Sequence, residues 1–296
     1  MADQERSPTT RDGRAPLRRL GLGLRTLLGR TPGGFFIPYR HAAAVKPTVY
    51  PALEPLFARA LPTMHELLAC IERFRDRLLA FAGPPPTPRW DQSWFPRLDG
   101  AALYAMVRAG RPRRILEIGS GHSTRFMAQA VADGGFPCGI VCIDPQPRAD
   151  IGQLPLDLHR RLLEAGDLDL ARQLEPGDIL FVDSSHVAMP GSDVDLLLNG
   201  FLPSLRPGVL VHLHDIFLPD PYPPAWAWRG YNEQVAVGCL LQGGQWAIRF
   251  ASHYLATRQR RTIERSAIGR ISCPGGAYEG SLWLQKQAPW DAGAGG

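Results

Sequence analysis

Lysine is almost missing from this chain. Only Lys46 and Lys286 occur among 296 residues, so the net charge of +5 is carried by arginine. That absence excludes a lysine base anywhere between those two positions. Cysteine is scarce and scattered: Cys70, Cys138, Cys142, Cys239 and Cys273 form no Cys-x-x-Cys pair and no metal-ligand spacing. A disulfide framework is therefore not expected, and a reducing compartment is. No apolar run approaches the roughly 18 residues that a membrane span requires. The opening "MADQERSPTTRDGR" is polar and mixed in charge, unlike a secretory leader. A cytoplasmic protein is expected. Internal repeats are missing, and so is any nucleic-acid recognition module. The basic runs "LRRLGLGLRTLLGR" and "RQRRTIERSAIGR" are read as solvated surface, with no nucleic-acid partner.

What is present is ordinary for a globular chain: 45% hydrophobic and 21% charged residues. Residues 1–33 read as a flexible basic segment. Within it, 16–30 has the spacing of a short amphipathic helix (Leu17, Leu20, Leu24, Leu28), weakened by Gly21 and Gly23. Packing on the domain or partial disorder is favoured over weak contact with a membrane surface. Residues 34–88 read as a helical extension. It opens with the aromatic run "GGFFIPYRHAAAV" and continues as a helix over 52–82, kinked or divided at Pro62. The rigid run "GPPPTPRW" closes it.

Residues 89–287 change pattern. "RRILEIG", "GIVCID", "GDILFVDSS" and "RPGVLVHLHD" are short continuous apolar runs, as expected of parallel strands covered on both faces. Helical stretches alternate with them, among them "STRFMAQAVADGG", which Gly134 is expected to close. The pattern predicts a doubly wound α/β sheet. "WAIRFA" and "SLWLQK" predict an antiparallel, hairpin-like finish. Residues 288–296 read as a flexible tail.

The most informative stretch is "LEIGSGHST". A strand ends in Glu117, Gly119 and Gly121 allow a tight turn against a ligand, and Ser123 or Thr124 can cap the next helix. Thr124 stands where a dinucleotide fingerprint has its third glycine. The second strand ends in Asp144, about 20 residues beyond the glycines, as an acidic ribose ligand would. This Glu-x-Gly-x-Gly form resembles the first motif of class I S-adenosylmethionine-dependent methyltransferases. The resemblance, to a bacterial group, extends through "GFFIPYRHA", "LFVDSSHV", "GSDVD", "HLHDIFLPDPYP" and "YNEQ", from about Gly34 to Lys286. It implies a Rossmann-like sheet of seven strands in the order 3-2-1-4-5-7-6. It also implies S-adenosylmethionine as cofactor. Glu117 would lie beneath the methionine moiety, Gly119, Ser120, Gly121 and Ser123 beneath the cofactor body, and Asp144 on the ribose. Asp183 would border both cofactor and acceptor.

In such sheets ligands sit at the C-terminal strand ends. Asp183 after strand 4 and His214 with Asp215 after strand 5 would then share one rim. The arrangement is similar to metal-dependent O-methyltransferases of the catechol and macrolide-sugar types. It implies Asp183, His214 and Asp215 as metal ligands and His186 as general base. A histidine ligand favours Mn²⁺, Fe²⁺ or Zn²⁺ over Mg²⁺. Direct contact of His214 with substrate, or a hydrogen bond to Asp183, is the open alternative. His212 reads as a buried, hydrogen-bonded core histidine.

Tyr39, Arg40, Trp94, Tyr222 and Asn232 are candidates for the substrate wall, with core packing as the alternative for the aromatic groups. The expected activity is O-methylation of a small polar or glycosidic acceptor. Two rivals stand beside it: a metal-dependent hydroxylase or hydrolase on the same fold, and a non-catalytic cofactor-binding regulator.

Overall fold

A computed structural model describes residues 15–29 and 33–288. Most of the expected flexible start and tail lies outside the described residues. Seven strands form one sheet: β1 (Arg114–Ile118), β2 (Gly139–Ile143), β3 (Asp157–His159), β4 (Ile179–Val182), β5 (Leu210–Leu213), β6 (Trp246–Ala251) and β7 (Leu282–Lys286). Their order is β3-β2-β1-β4-β5-β7-β6, as the resemblance implied. The first five strands pair in parallel, and β7 runs antiparallel to both β5 and β6. All of β4 is buried, as are Ile115, Leu116 and Ile118 of β1, because helices cover both faces.

Register places the site. Ile118 pairs with Ile143 on one side and Val182 on the other, and Val182 pairs with Leu213. The next residue along each strand is Gly119, Asp144, Asp183 or His214. Four candidate residues therefore leave the sheet at one level, along one rim.

Four local expectations are revised. The third strand, β3, escaped the sequence pattern because it is three residues long, partly exposed and paired only with β2. The helix expected over 52–82 is three helices: Glu54–Arg59, Leu61–Arg73 and Arg75–Leu79. Pro62 sits in the first turn of the second, where its missing N–H has no helical partner to lose. A further break falls at Phe74. The helix His122–Gly134 is stopped by Gly135 in the left-handed region (φ 57°), one residue beyond the expected closure. The last two strands do not form a hairpin. Residues 252–281 separate them and include helices Ser252–Arg258 and Arg260–Arg265.

The helical extension packs into the same core as the sheet. Phe57, Met64, Ile71 and Leu78 join Leu98, Phe126 and Leu255 in one buried cluster. Phe57 stacks on Tyr254 with ring centroids 5.3 Å apart, and Arg77 pairs with Asp133 at 2.7 Å. The helix Ala15–Leu27 behaves differently. Leu17, Leu20 and Leu24 are exposed, so the expected packing of this stripe on the domain does not occur. Among the described residues no helix is long and apolar enough to cross a membrane.

Candidate active site

The turn after β1 is built for close approach. Gly119 has φ 78°, and a Cβ added there would lie 2.0 Å from the Asp183 carbonyl oxygen. Only glycine fits. Beneath the turn, Glu117 is fully buried and accepts hydrogen bonds from Ser123 Oγ (2.7 Å), Thr124 Oγ1 (2.7 Å) and Cys142 Sγ (3.1 Å). Thr124 Oγ1 also accepts from the Gly121 N–H at 2.9 Å. The residue in place of the third glycine thus ties the loop to the acid below it. Burial pushes the Glu117 carboxyl up to about 7, against the pull of those three donors. Asp144 accepts from Ser120 N (2.5 Å) and Ser120 Oγ (3.1 Å) with one oxygen, and from Gln146 N (2.7 Å) with the other. Gly119, Ser120, Gly121, Asp144 and Asp183 therefore gather at the loop. Glu117 and Ser123 lie under it, bound to each other.

Beside this loop two segments bend sharply. Among the described residues, three non-glycine residues have positive φ: Arg111, His186 (60°) and Asp215 (55°). Such a backbone costs on the order of 1–3 kcal/mol per residue and persists only where surrounding contacts impose it. Asn232 supplies two of those contacts. Its Oδ1 accepts from Ala188 N (2.7 Å), and its N–H donates to the His186 carbonyl (3.0 Å). Asn232 is thus a clamp on the His186 loop.

The bends bring three ligand-type groups together. His186 Nε2 lies 3.2 Å from Asp183 Oδ1 and 3.4 Å from Asp215 Oδ2, while its Nδ1 is 2.9 Å from Glu233 Oε2. Burial alone would lower the His186 pKa. The hydrogen bonds to Asp183 and Glu233, with the charges of Asp215 and Glu233, outweigh it and raise the pKa well above the usual histidine value. The surroundings of the imidazole thus favour its protonated form. Burial would raise the Asp183 pKa, but the neighbouring His214 and His186 hold it below the ordinary carboxylate range.

Asp183, His186 and Asp215 offer one donor atom each, all within 4.8 Å of one another. The expected ligand set had His214 in place of His186. His214 is buried beside them and lines the same cavity. Its Nε2 faces the Trp94 carbonyl at 3.2 Å and lies 3.7 Å from Asp215 Oδ1. His212 is the core histidine expected: buried, 2.9 Å from Ser281 Oγ, and stacked on Phe181 with centroids 3.8 Å apart.

A small cavity of about 30 Å³ opens at the cluster, with Trp94, Arg148, Trp226, Arg229 and Tyr231 among its walls. Arg148 lies over the Trp94 ring at 4.2 Å, and Arg229 over Trp226 at 4.1 Å. Of the expected substrate residues, Trp94 is in the wall. Tyr222 is not; its hydroxyl accepts from Gln234 N (3.2 Å) at the start of the helix Glu233–Gln242. Tyr39 and Arg40 are exposed on the N-terminal segment and do not line the cavity.

Residues 116–216 match a family model described as a methyltransferase domain. The match starts in β1 and ends one residue past Asp215, so it spans the glycine loop and the whole cluster except Glu233. Residues 116–216 are thus similar to a methyltransferase domain, on a sheet whose order is the one the resemblance implied. Among solved structures, it is similar to an S-adenosylhomocysteine-bound methyltransferase of Podospora anserina (16% identity, 86% of this chain and 100% of that one, TM-score 0.39). It is also similar to an O-methyltransferase of tomaymycin synthesis from Streptomyces achromogenes (19% identity, 75% and 90%, TM-score 0.38) and to an O-methyltransferase from Bacillus cereus (16% identity, 76% and 91%, TM-score 0.36). No curated protein matches the sequence.

The site contains groups that the sequence did not single out. Glu233 is the foremost: it is 47 residues from its partner His186 and is buried by the fold alone. Its only signal was membership of "YNEQ". Arg148 and Arg229 had none.

Proposed function

We propose that the methyltransferase domain methylates a hydroxyl oxygen of a small polar or glycosidic acceptor held against Asp183, His186 and Asp215. The observation that carries this reading is the buried imidazole with two carboxylates at Nε2 and a third at Nδ1, directly beside the glycine loop. Asp183 joins the two halves, since its carbonyl abuts Gly119 and its carboxylate faces His186.

The loop residues fit S-adenosylmethionine. Gly119 keeps the turn free of side chain, and Asp144 stands at the level of the loop for ribose hydroxyls. The cofactor, when bound, supplies a methyl group on a sulfonium, open to in-line attack. The cluster fits a divalent metal, with Asp183, His186 and Asp215 as its holders. Its Nδ1–Glu233 contact is the partner that metal-binding histidines usually have. One imidazole and two carboxylates suit Mn²⁺, Fe²⁺ or Zn²⁺. A metal held there would lower the pKa of the acceptor hydroxyl. The same donor count speaks against the rival iron hydroxylase, whose facial triad requires two imidazoles.

The chain's own residues do the rest. Glu233 fixes the tautomer and orientation of His186. Asp183 and Asp215 hold a proton or a cation at Nε2, so His186 acts as ligand or proton holder. The base role expected from the sequence requires the imidazole to be free of the proton that these carboxylates favour. Trp94, Trp226 and Tyr231 offer ring faces to an acceptor, and Arg229 offers a donor for its polar substituents.

Titration calorimetry tests both halves. S-adenosylmethionine is expected to bind with or without Mn²⁺, and Mn²⁺ binding is expected to disappear in Asp183→Ala and Asp215→Ala. No heat with S-adenosylmethionine under either condition sinks the methyl-transfer reading. Unchanged Mn²⁺ binding in both variants sinks the metal.

A further inference from the structure

Exposed apolar side chains in this protein are concentrated in one place. Eleven large ones (Leu17, Leu20, Leu24, Leu27, Leu28, Phe35, Phe36, Ile37, Tyr39, Val45 and Val49) lie between residues 17 and 49. The rest of the described chain adds only Leu162, Trp228 and Val235. A soluble surface rarely carries so dense a patch unless it meets something apolar. Charge is equally one-sided. Residues 15–50 contain Arg18, Arg19, Arg25, Arg30, Arg40 and Lys46, and no aspartate or glutamate.

The leucines are aligned. In the helix Ala15–Leu27 and its following turn, Leu17, Leu20, Leu24, Leu27 and Leu28 fall within a stripe about 100° wide. The opposite side of the helix holds the returning chain. Gly33 N donates to Thr26 Oγ1 (3.0 Å), and Gly33 packs against Leu22. The leucine stripe is thus left facing outward, and Phe35, Phe36, Ile37 and Tyr39 on the returning strap are exposed as well. Its far end is tied to the catalytic side, since Tyr50 N donates to the carbonyl of Pro219, on the loop that follows Asp215. Thirteen residues are too few to span a bilayer, so this helix can only lie in the plane of a surface.

We propose that residues 15–29 and 33–49 form a docking surface for an anionic membrane. The leucine stripe and the exposed side chains of Phe35–Tyr39 enter the boundary between headgroups and acyl chains, and Arg18, Arg25, Arg40 and Lys46 meet lipid phosphates. Charge complementarity chooses this occupant: six cations without an anion would repel the same surface on a second copy of the chain, whereas acidic lipid attracts them. The inference is independent of the acceptor and of the metal.

The test is co-sedimentation of the full chain with vesicles of phosphatidylcholine alone, and of phosphatidylcholine with about one third phosphatidylglycerol. The chain is expected in the pellet with the second vesicles and in the supernatant with the first. Binding is expected to weaken at about 0.5 M salt, where the Debye length falls to a few ångström. The double variant Leu20→Glu/Leu24→Glu, with unchanged circular dichroism and melting temperature, is expected to lose at least about tenfold in binding. Three results overturn the proposal. One is wild-type chain that stays in the supernatant with both vesicle types. Another is a double variant that binds like wild type. The third is a lipid-free dimer that the double variant converts to monomer without any vesicle binding, which would assign the surface to self-association.

Discussion

Glu117 has both carboxylate oxygens engaged by side-chain donors, in a site closed to solvent. Burial raises its folded pKa from an ordinary 4.5 to about 7. The fold therefore favours the protonated acid. The corresponding stabilisation is complete below pH 4.5 and is lost as pH rises through about 7. Glu117→Gln, neutral at every pH, is expected to gain on wild type by about 2–3 kcal/mol between pH 5 and pH 8. Denaturant unfolding at the two pH values measures this. A gap that does not change with pH would mean that the three donors keep the acid ionised throughout. His186 presents the opposite balance. Burial opposes its charge, but three carboxylates hold the proton. The sequence offered "DSSH" as a motif and said nothing of Glu233, the carboxylate at the far ring nitrogen of His186.

The element that most depends on a single residue is the turn from β1 into the helix His122–Gly134. Gly119→Ala would place a methyl 2.0 Å from the Asp183 carbonyl oxygen at a left-handed backbone position. The expected cost is at least about 2 kcal/mol of stability, with a loss of S-adenosylmethionine affinity because β1 and β4 must separate. Thermal unfolding and calorimetry on the same sample check it; a variant as stable and as tight as wild type would show that the turn has slack. The legibility of elements followed burial. β1, β2, β4 and β5 were visible because strands covered on both faces read as continuous apolar runs. β3 was not, because an edge strand of three residues has too few positions to show a pattern. Pro62 signalled the break at residue 60, but the one at Phe74 was not legible, because the apolar positions stay in helical phase across it.

At the scale of the whole molecule, the helical extension and the sheet share one core, although composition marked them as separate regions. Phe57 is fully buried at their junction against Tyr254. Phe57→Ala is expected to cost about 3–5 kcal/mol and to leave unfolding as one transition. Coincident melts by far-ultraviolet circular dichroism and tryptophan fluorescence would show it. Two separated transitions, or no loss, would mean that the extension folds by itself. The sequence by itself determined the strand and helix alternation, the glycine turn, the aspartate after β2 and the level at which Asp183, His214 and Asp215 leave the sheet. These follow from local apolar pattern and from strand pairing, which repeats by simple rules. Only the tertiary structure decided that His186 Nε2 stands against both aspartates, that Glu233 holds it from behind, and that Tyr39 and Arg40 are not in the cavity wall. Which way a side chain turns at a strand end depends on backbone bends at His186 and Asp215. Those bends are held by contacts from segments far along the chain, which no local pattern records.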